Sequence, residues 1–265
     1  DNRPVGIFDS GLGGLTVVAA IRKKMKNENI IYLGDTARVP YGDKSSENIA
    51  KFAIDDARFL VNKGVKMIII ACNTVSAVAI EAVRENFRGA PVVGVLDAGV
   101  QACLSEKPKS VVIIGTRATI ASDTYMKNIH AQNPSIKVHS IATPLFVPII
   151  EEGLQGSPIA VMAIETYLRG VKSNPPDILL LACTHYPFLK ESLAQYLPSS
   201  VKIIDSAESC ANFAAQELRR LGLEGKSDNA FEKYFATDMP SNFYLQATRF
   251  LGKNIEHFEK ISLGV

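Results

Sequence analysis

Residues 66–74 read KMIIIACNT, and residues 178–185 read ILLLACTH. The aliphatic part of each is apolar at successive positions, with no polar residue at every second place. Such a run suits a strand covered on both faces, as in parallel sheets packed between helices. Each run then stops in Ala, Cys and two polar residues, so both place a thiol at a strand tip. The echo extends upstream, where VGIFDSG (5–11) precedes the first copy and VVIIGT (111–116) the second. Asp9 lies 63 residues before Cys72, and Thr116 lies 67 before Cys183. Two copies of one α/β unit account for this better than a single long sheet.

Apolar strand patterns alternate with amphipathic helical ones along the chain. Strands are expected at 4–8, 30–33, 66–71, 91–95, 111–115, 137–142, 178–182 and 201–205. Helical patterns lie near 14–26, 46–63, 75–87, 97–105, 119–131, 157–172, 188–196 and 207–221. The expectation is an α/β protein of two pseudo-symmetric parallel-sheet domains with the active site between them. The first domain takes residues 1–96 plus 207–265 and carries Asp9 and Cys72. The second takes 97–206 and carries Cys183 and His185. The stretch after 207 reads as helical and too short for a domain of its own, so it is expected to pack back on the first.

Composition agrees with two such units: 265 residues, 47% hydrophobic, formal net charge +2. That balance excludes a disordered chain and leaves no electrostatic footprint for nucleic acid or a charged membrane surface. The longest apolar runs fall far short of the ~20 residues a membrane span needs, and no basic-then-apolar leader opens the sequence. A cytoplasmic protein with a small-molecule partner is expected, not one that works on nucleic acid or membrane. The four cysteines, at 72, 103, 183 and 210, include no CxxC pair. Neither a zinc site nor a thioredoxin-like motif is therefore supported. Cys103 and Cys210 fall inside helical patterns and read as small buried hydrophobes.

Parallel α/β sheets bind ligands beyond the carboxyl ends of their strands. Three polar clusters stand there: Asp9-Ser10-Gly11, Cys72-Asn73-Thr74 and Cys183-Thr184-His185. Each leads toward a helix, whose free N–H groups favour an anion, whether a substrate carboxylate or a thiolate. Both thiols are therefore expected below the ordinary Cys value of about 8.5.

Other readings fail on particular residues. DSGLGG (9–14) would need Gly at position 16 to begin a dinucleotide fingerprint, and that residue is Thr16. No GKS or GKT phosphate loop is present, and no strand-tip lysine offers a Schiff base to PLP. Cys183 and His185, two residues apart, make a weak metal pair. No cofactor and no metal are expected. A cysteine hydrolase would serve one thiol with one base and an oxyanion hole, whereas here each thiol has its own polar neighbours. Two matched thiols across one substrate suit a symmetric task, taking a proton from one face of a carbon and returning one to the other. That task is racemisation.

GIFDSGLGG (6–14), GDTARVPYG (34–42), ACNT (71–74), GTRATI (115–120) and LACTHYP (181–187) resemble the motif set of bacterial glutamate racemases. ACNT alone would point only to the wider aspartate/glutamate racemase superfamily. The His of CTHYP and the PYG are similar to the glutamate branch. The resemblance implies a site between two pseudo-symmetric domains, no cofactor, a homodimer, and D-glutamate supplied for peptidoglycan. It implies that Cys72 and Cys183 are the catalytic thiols, Cys72 deprotonating D-glutamate and Cys183 L-glutamate. Asp9 would assist the first thiol and His185 the second. Glu151, the first Glu of PIIEEG (148–153), would be a further assisting acid, with adjacent Glu152 as the alternative. Substrate contacts would come from Asp9, Ser10, Tyr41, Gly42, Asn73, Thr74, Thr184 and His185.

Plainer roles stand beside these. Asp9 can be read as a helix cap, and His185 as a packed core residue. Pro40 and Gly42 make Tyr41 readable as turn chemistry alone. Asn73 and Thr74 fit the start of a helix, and Thr116 and Thr119 are candidates to line the pocket. The competing functions are a related two-thiol enzyme acting on aspartate or a hydantoin, and a binding module without catalysis. Binding a dicarboxylate does not need two thiols. No motif is visible after about residue 225.

Overall fold

The computed structural model describes residues 1–263. Its strands are β1 (Val5–Asp9), β2 (Ile30–Gly34), β3 (Met67–Ile70), β4 (Val92–Gly94), β5 (Ser110–Gly115), β6 (Lys137–Ala142), β7 (Ile178–Ala182), β8 (Lys202–Asp205), β9 (Glu232–Ala236) and β10 (Glu259–Lys260). They form two all-parallel sheets, ordered β10-β9-β2-β1-β3-β4 and β6-β5-β7-β8. The segment β2-β1-β3-β4 of the first has the same order as the whole of the second. β3 and β7 therefore hold equivalent places. This is an α/β protein of two parallel-sheet domains.

The helices are α1 (Leu15–Lys24), α2 (Ser46–Asn62), α3 (Asn73–Val78), α4 (Ile80–Asn86), α5 (Val95–Ser105), α6 (Arg117–Ala121), α7 (Thr124–Gln132), α8 (Phe146–Glu151), α9 (Pro158–Ser173), α10 (Lys190–Tyr196), α11 (Ser206–Arg220) and α12 (Phe243–Leu251). They leave β1, β2, β3 and β7 buried along their whole length. That is why these strands show no polar alternation. One apolar core joins the two sheets, holding Ile7 and Ile69 of the first together with Leu179 and Leu181 of the second. Among the described residues no helix is long and apolar enough to cross a membrane.

The eight expected strands form, their ends moved by one residue at most. Two helical patterns split. The one expected over 75–87 becomes α3 and α4, parted at Ala79 (φ −134°, ψ 0°). The one expected over 119–131 becomes α6 and α7, parted at Ser122 and Asp123, with Asp123 at φ +56°. Short polar side chains compete for the backbone, and Asp tolerates the left-handed region.

The larger correction concerns the end of the chain. After α11 it is not helical throughout, because β9 and β10 extend the first sheet on either side of α12 in sequence. β9 pairs with β2 from Ile30↔Glu232 to Gly34↔Ala236. Its sequence EKYFA hides the strand because the first two residues are charged. Glu232 is held by Arg22 at 2.5 Å and Lys253 at 2.6 Å, so its charge is kept at a sheet position that periodicity reads as loop.

Candidate active site

Segments beyond β1, β2, β3, β5, β6 and β7 close on one cavity of about 410 Å³. The first domain contributes Ser10, Tyr41, Gly42, Cys72, Asn73 and Thr74 to its walls; the second contributes Thr116, Glu151, Cys183, Thr184 and His185. Asp9 lies beneath the wall, 1% exposed. Its Oδ2 accepts the N–H groups of Gly11 and Gly14, each at 3.0 Å. Its Oδ1 is buried without a hydrogen-bond partner among the described residues. Burial raises the Asp9 pKa above the usual carboxylate value, against the Gly14 N–H and the positive charge of His185.

Cys72 is the cap residue of α3, its backbone extended. Its Sγ stands 3.4 Å from Ser10 Oγ. The expectation of a lowered thiol is wrong here. Burial pushes Cys72 up to about 12 and the Asp9 carboxylate adds to this, while Ser10 and the Val75 N–H offset only part. A few helix N–H groups do not outweigh removal from water beside a carboxylate.

The second thiol has different company. Cys183 Sγ lies 3.8 Å from His185 Nδ1, and His185 Nε2 lies 3.1 Å from Glu151 Oε1. Of the adjacent pair, it is Glu151 that reaches the imidazole. Burial works against a charged imidazole, but the hydrogen bonds to Cys183 and Glu151 outweigh it and push His185 up to about 10. Cys103 and Cys210 are free thiols buried in the packed cores, away from this cavity.

The remaining polar groups are tied across the two domains. Tyr125 donates its hydroxyl to Asn73 Oδ1 at 2.6 Å, and Asn73 Nδ2 donates to Ser206 Oγ at 3.3 Å. Thr74, Thr116 and Thr119 form a triangle of hydroxyls with sides of 3.0 to 3.2 Å. Thr116 lines the cavity, whereas Thr119 is buried behind it. Residues 41–43 do form a turn, and the Tyr41 ring also walls the cavity. Its hydroxyl donates to Asp35 and Asp56 within a buried network around Arg38.

Sequence reasoning missed several lining residues. Arg117 reaches the cavity edge, 3.8 Å from Asp43; its signal was its place after Thr116 at the tip of β5. Val39, Pro144, Val147 and Pro148 form an apolar wall and carried no signal. Gly13, quoted within GIFDSGLGG but given no role of its own, is a point of close approach. A Cβ there would stand 2.4 Å from Thr184 Oγ1 and 2.6 Å from the His185 ring. Among the described residues no three His, Cys, Asp or Glu side chains are grouped to hold a metal ion.

Residues 15–214 match the family model of Asp/Glu/hydantoin racemases. The chain belongs to this family. It is 41% identical over 263 residues to the glutamate racemase of Geobacter metallireducens, spanning 98% of this chain and 97% of that one. A structure of Francisella tularensis glutamate racemase in complex with D-glutamate matches at TM-score 0.94 and 42% identity, covering 99% and 98% of the two chains. Escherichia coli glutamate racemase in complex with L-glutamate and an activator matches at TM-score 0.80 and 28% identity, covering 99% and 100%. By family and by these relatives the chain is an amino-acid racemase, in the isomerase class.

Proposed function

We propose that the chain interconverts L- and D-glutamate without a cofactor, by proton removal and return at Cα between Cys72 and Cys183. The observation that carries this reading is the placement of the two thiols. They follow equivalent strands, β3 and β7, and open on one cavity. A substrate held between them presents one face of Cα to each, so one thiol takes the proton as the other gives one. The relatives in complex with D- and L-glutamate support the choice of amino acid.

Each thiol has its own proton partner. Asp9, with a free Oδ1 and a raised pKa, suits passing a proton to and from Cys72. His185, oriented by Glu151, serves Cys183. Cys72 is held as a neutral thiol, the form needed to protonate the carbanion that Cys183 makes from L-glutamate. In the other direction Cys72 first yields its proton and then deprotonates D-glutamate. Ser10, Tyr41, Gly42, Asn73, Thr74, Thr184 and His185 contact the substrate, and Asp9 supports the Ser10 side. In the cell this reading makes the protein a cytoplasmic homodimer supplying D-glutamate for peptidoglycan.

The test is turnover of each enantiomer in D₂O, stopped below about a tenth conversion, with mass spectrometry of the separated enantiomers. Product from either side should carry deuterium at Cα, while unconverted substrate stays largely protiated. Retention of the original hydrogen in the product in both directions would overturn the two-thiol mechanism. Racemisation of aspartate but not glutamate would overturn the substrate.

A further inference from the structure

We infer that Arg249 and Phe250 of α12 are positioning residues that hold the His185–Glu151 pair in register with Cys183; this rests on the reading of His185 as the proton partner of that thiol. α12 lies in the stretch of chain where no motif is visible, between β9 and β10 of the first sheet. It nevertheless reaches both members of a pair that belongs to the second domain.

The contact to Glu151 is made through the backbone. Arg249 Nη1 donates to the carbonyl of Ile150 at 2.9 Å and to that of Glu151 at 3.3 Å. Gln246 Nε2 donates to the Glu151 carbonyl at 3.4 Å. These are carbonyls of the last turn of α8, where a helix runs short of internal partners; Ile150 also accepts the Gly153 N–H at 3.0 Å, and a cation there meets the negative end of the helix. α8 is only six residues long, so its shape depends on tertiary contacts: its buried Phe146, Ile149 and Ile150 and this polar tie at its end. Gly153 turns away beneath the guanidinium at φ +75°, and a Cβ there would come within 3.2 Å of both Nη atoms.

The Glu151 carboxylate is 45% exposed, and its hydrogen bond to His185 is its one polar tie among the described residues. Where α8 ends therefore decides where that carboxylate stands. The contact to His185 is direct. The Phe250 ring meets the imidazole edge to face, centroids 5.0 Å apart at 78°, and is itself braced by Phe188 at 5.2 Å and 86°. The imidazole thus has Phe250 on one side, with Cys183, Glu151 and the Asp9 charge as the ionisable groups acting on it.

The test reads His185 in the ligand-free protein by ¹⁵N NMR titration of histidine-labelled samples, with the resonance assigned by His185→Gln. In the wild type it should titrate far above the ordinary value, near 10. Arg249→Met should lower that midpoint by about one pH unit, in the same direction as Glu151→Gln. The double variant should titrate no lower than Glu151→Gln alone, because Arg249 acts through Glu151. Phe250→Leu should shift the midpoint as well, because it removes the ring that covers one side of the imidazole. Arg249→Lys, which keeps one charged donor, should fall between wild type and Arg249→Met and serves if the methionine variant does not fold. In the racemase assay Arg249→Met should lower kcat more than it changes KM, with the basic limb of the pH profile moved downward. An unchanged His185 midpoint in both positions' variants would overturn the inference, as would an Arg249→Met shift that persists undiminished beside Glu151→Gln. The titration needs no turnover, so a wild type inert toward glutamate would defeat the substrate reading and leave this one standing.

Discussion

Cys72 and Cys183 share a strand-tip placement but not a chemical setting. Both are 6% exposed, yet one neighbours a carboxylate and the other an imidazole. Inversion at Cα needs both faces served, so Cys72→Ala and Cys183→Ala should each lose roughly 10²–10⁴-fold in racemisation. Cys103→Ala and Cys210→Ala should keep turnover and lower only the melting temperature, since their side chains fill packed cores. Steady-state polarimetry beside thermal melts decides this; a dead Cys103→Ala would remove the assignment. His185 adds a pH signature. Its folded value of about 10 exceeds the about 6.5 of an unfolded histidine, so the folded state holds the proton more tightly. The stabilisation is complete below about pH 6.5 and lost as pH rises through about 10. The melting-temperature advantage of wild type over His185→Asn should therefore shrink across that window. An advantage that grows with pH would contradict the assigned ion pair.

The loops around the cavity depend on contacts that their own sequences barely announce. Arg38 holds three carboxylates, those of Asp35 at 2.5 Å and of Asp55 and Asp56 at 3.1 Å. Asp35 and Asp56 are fully buried, and Tyr41 hangs from both. Arg38→Met would leave buried Asp35 and Asp56 without their cation and should cost on the order of 3 kcal/mol, measured by denaturant unfolding. A loss under a few tenths would show that the network does not hold the Tyr41 turn. Gly13→Ala sets two effects against each other. Ala has less conformational freedom to lose on folding than Gly, which favours the variant by up to about 1 kcal/mol. The new methyl would stand 2.4 Å from Thr184 Oγ1, and such overpacking costs about 1–3 kcal/mol. Net destabilisation with a drop in kcat is expected, because the obstructed atoms belong to the loop that carries His185. A more stable variant with unchanged kcat would show that the loop yields freely.

At the scale of the molecule, the cavity exists because two sheets of one topology meet, and the ties across it are few and polar. Thr74 meets Thr116 and Thr119, and Tyr125 meets Asn73. A ligand bridging these walls binds the folded state alone, so D-glutamate at about 100 times its Kd should add about 2.7 kcal/mol of stability. Thermal melts against ligand concentration read this directly, and a melting temperature indifferent to D-glutamate at saturating turnover would contradict it. Thr74→Val should weaken the ligand shift while leaving the unliganded protein folded.

The amino-acid sequence by itself determined the alternation of strands and helices, because strands covered on both faces must be apolar throughout. It determined the two thiols as a pair, because strand tip, residue type and echo are local properties of KMIIIACNT and ILLLACTH. It brought Asp9, Ser10, Asn73 and His185 forward for the same reason, while Tyr41 came forward only through the resemblance of its PYG motif. What only the tertiary structure decided is whatever depends on partners distant in the chain. The choice of Glu151 over Glu152 turns on a helix whose end is fixed by Arg249, 98 residues away. The high pKa of Cys72 turns on burial under another loop. The strand at Glu232–Ala236 turns on Arg22, 210 residues before Glu232 and satisfying its charge. Periodicity reports how a residue meets its immediate neighbours, and none of these facts is carried by immediate neighbours.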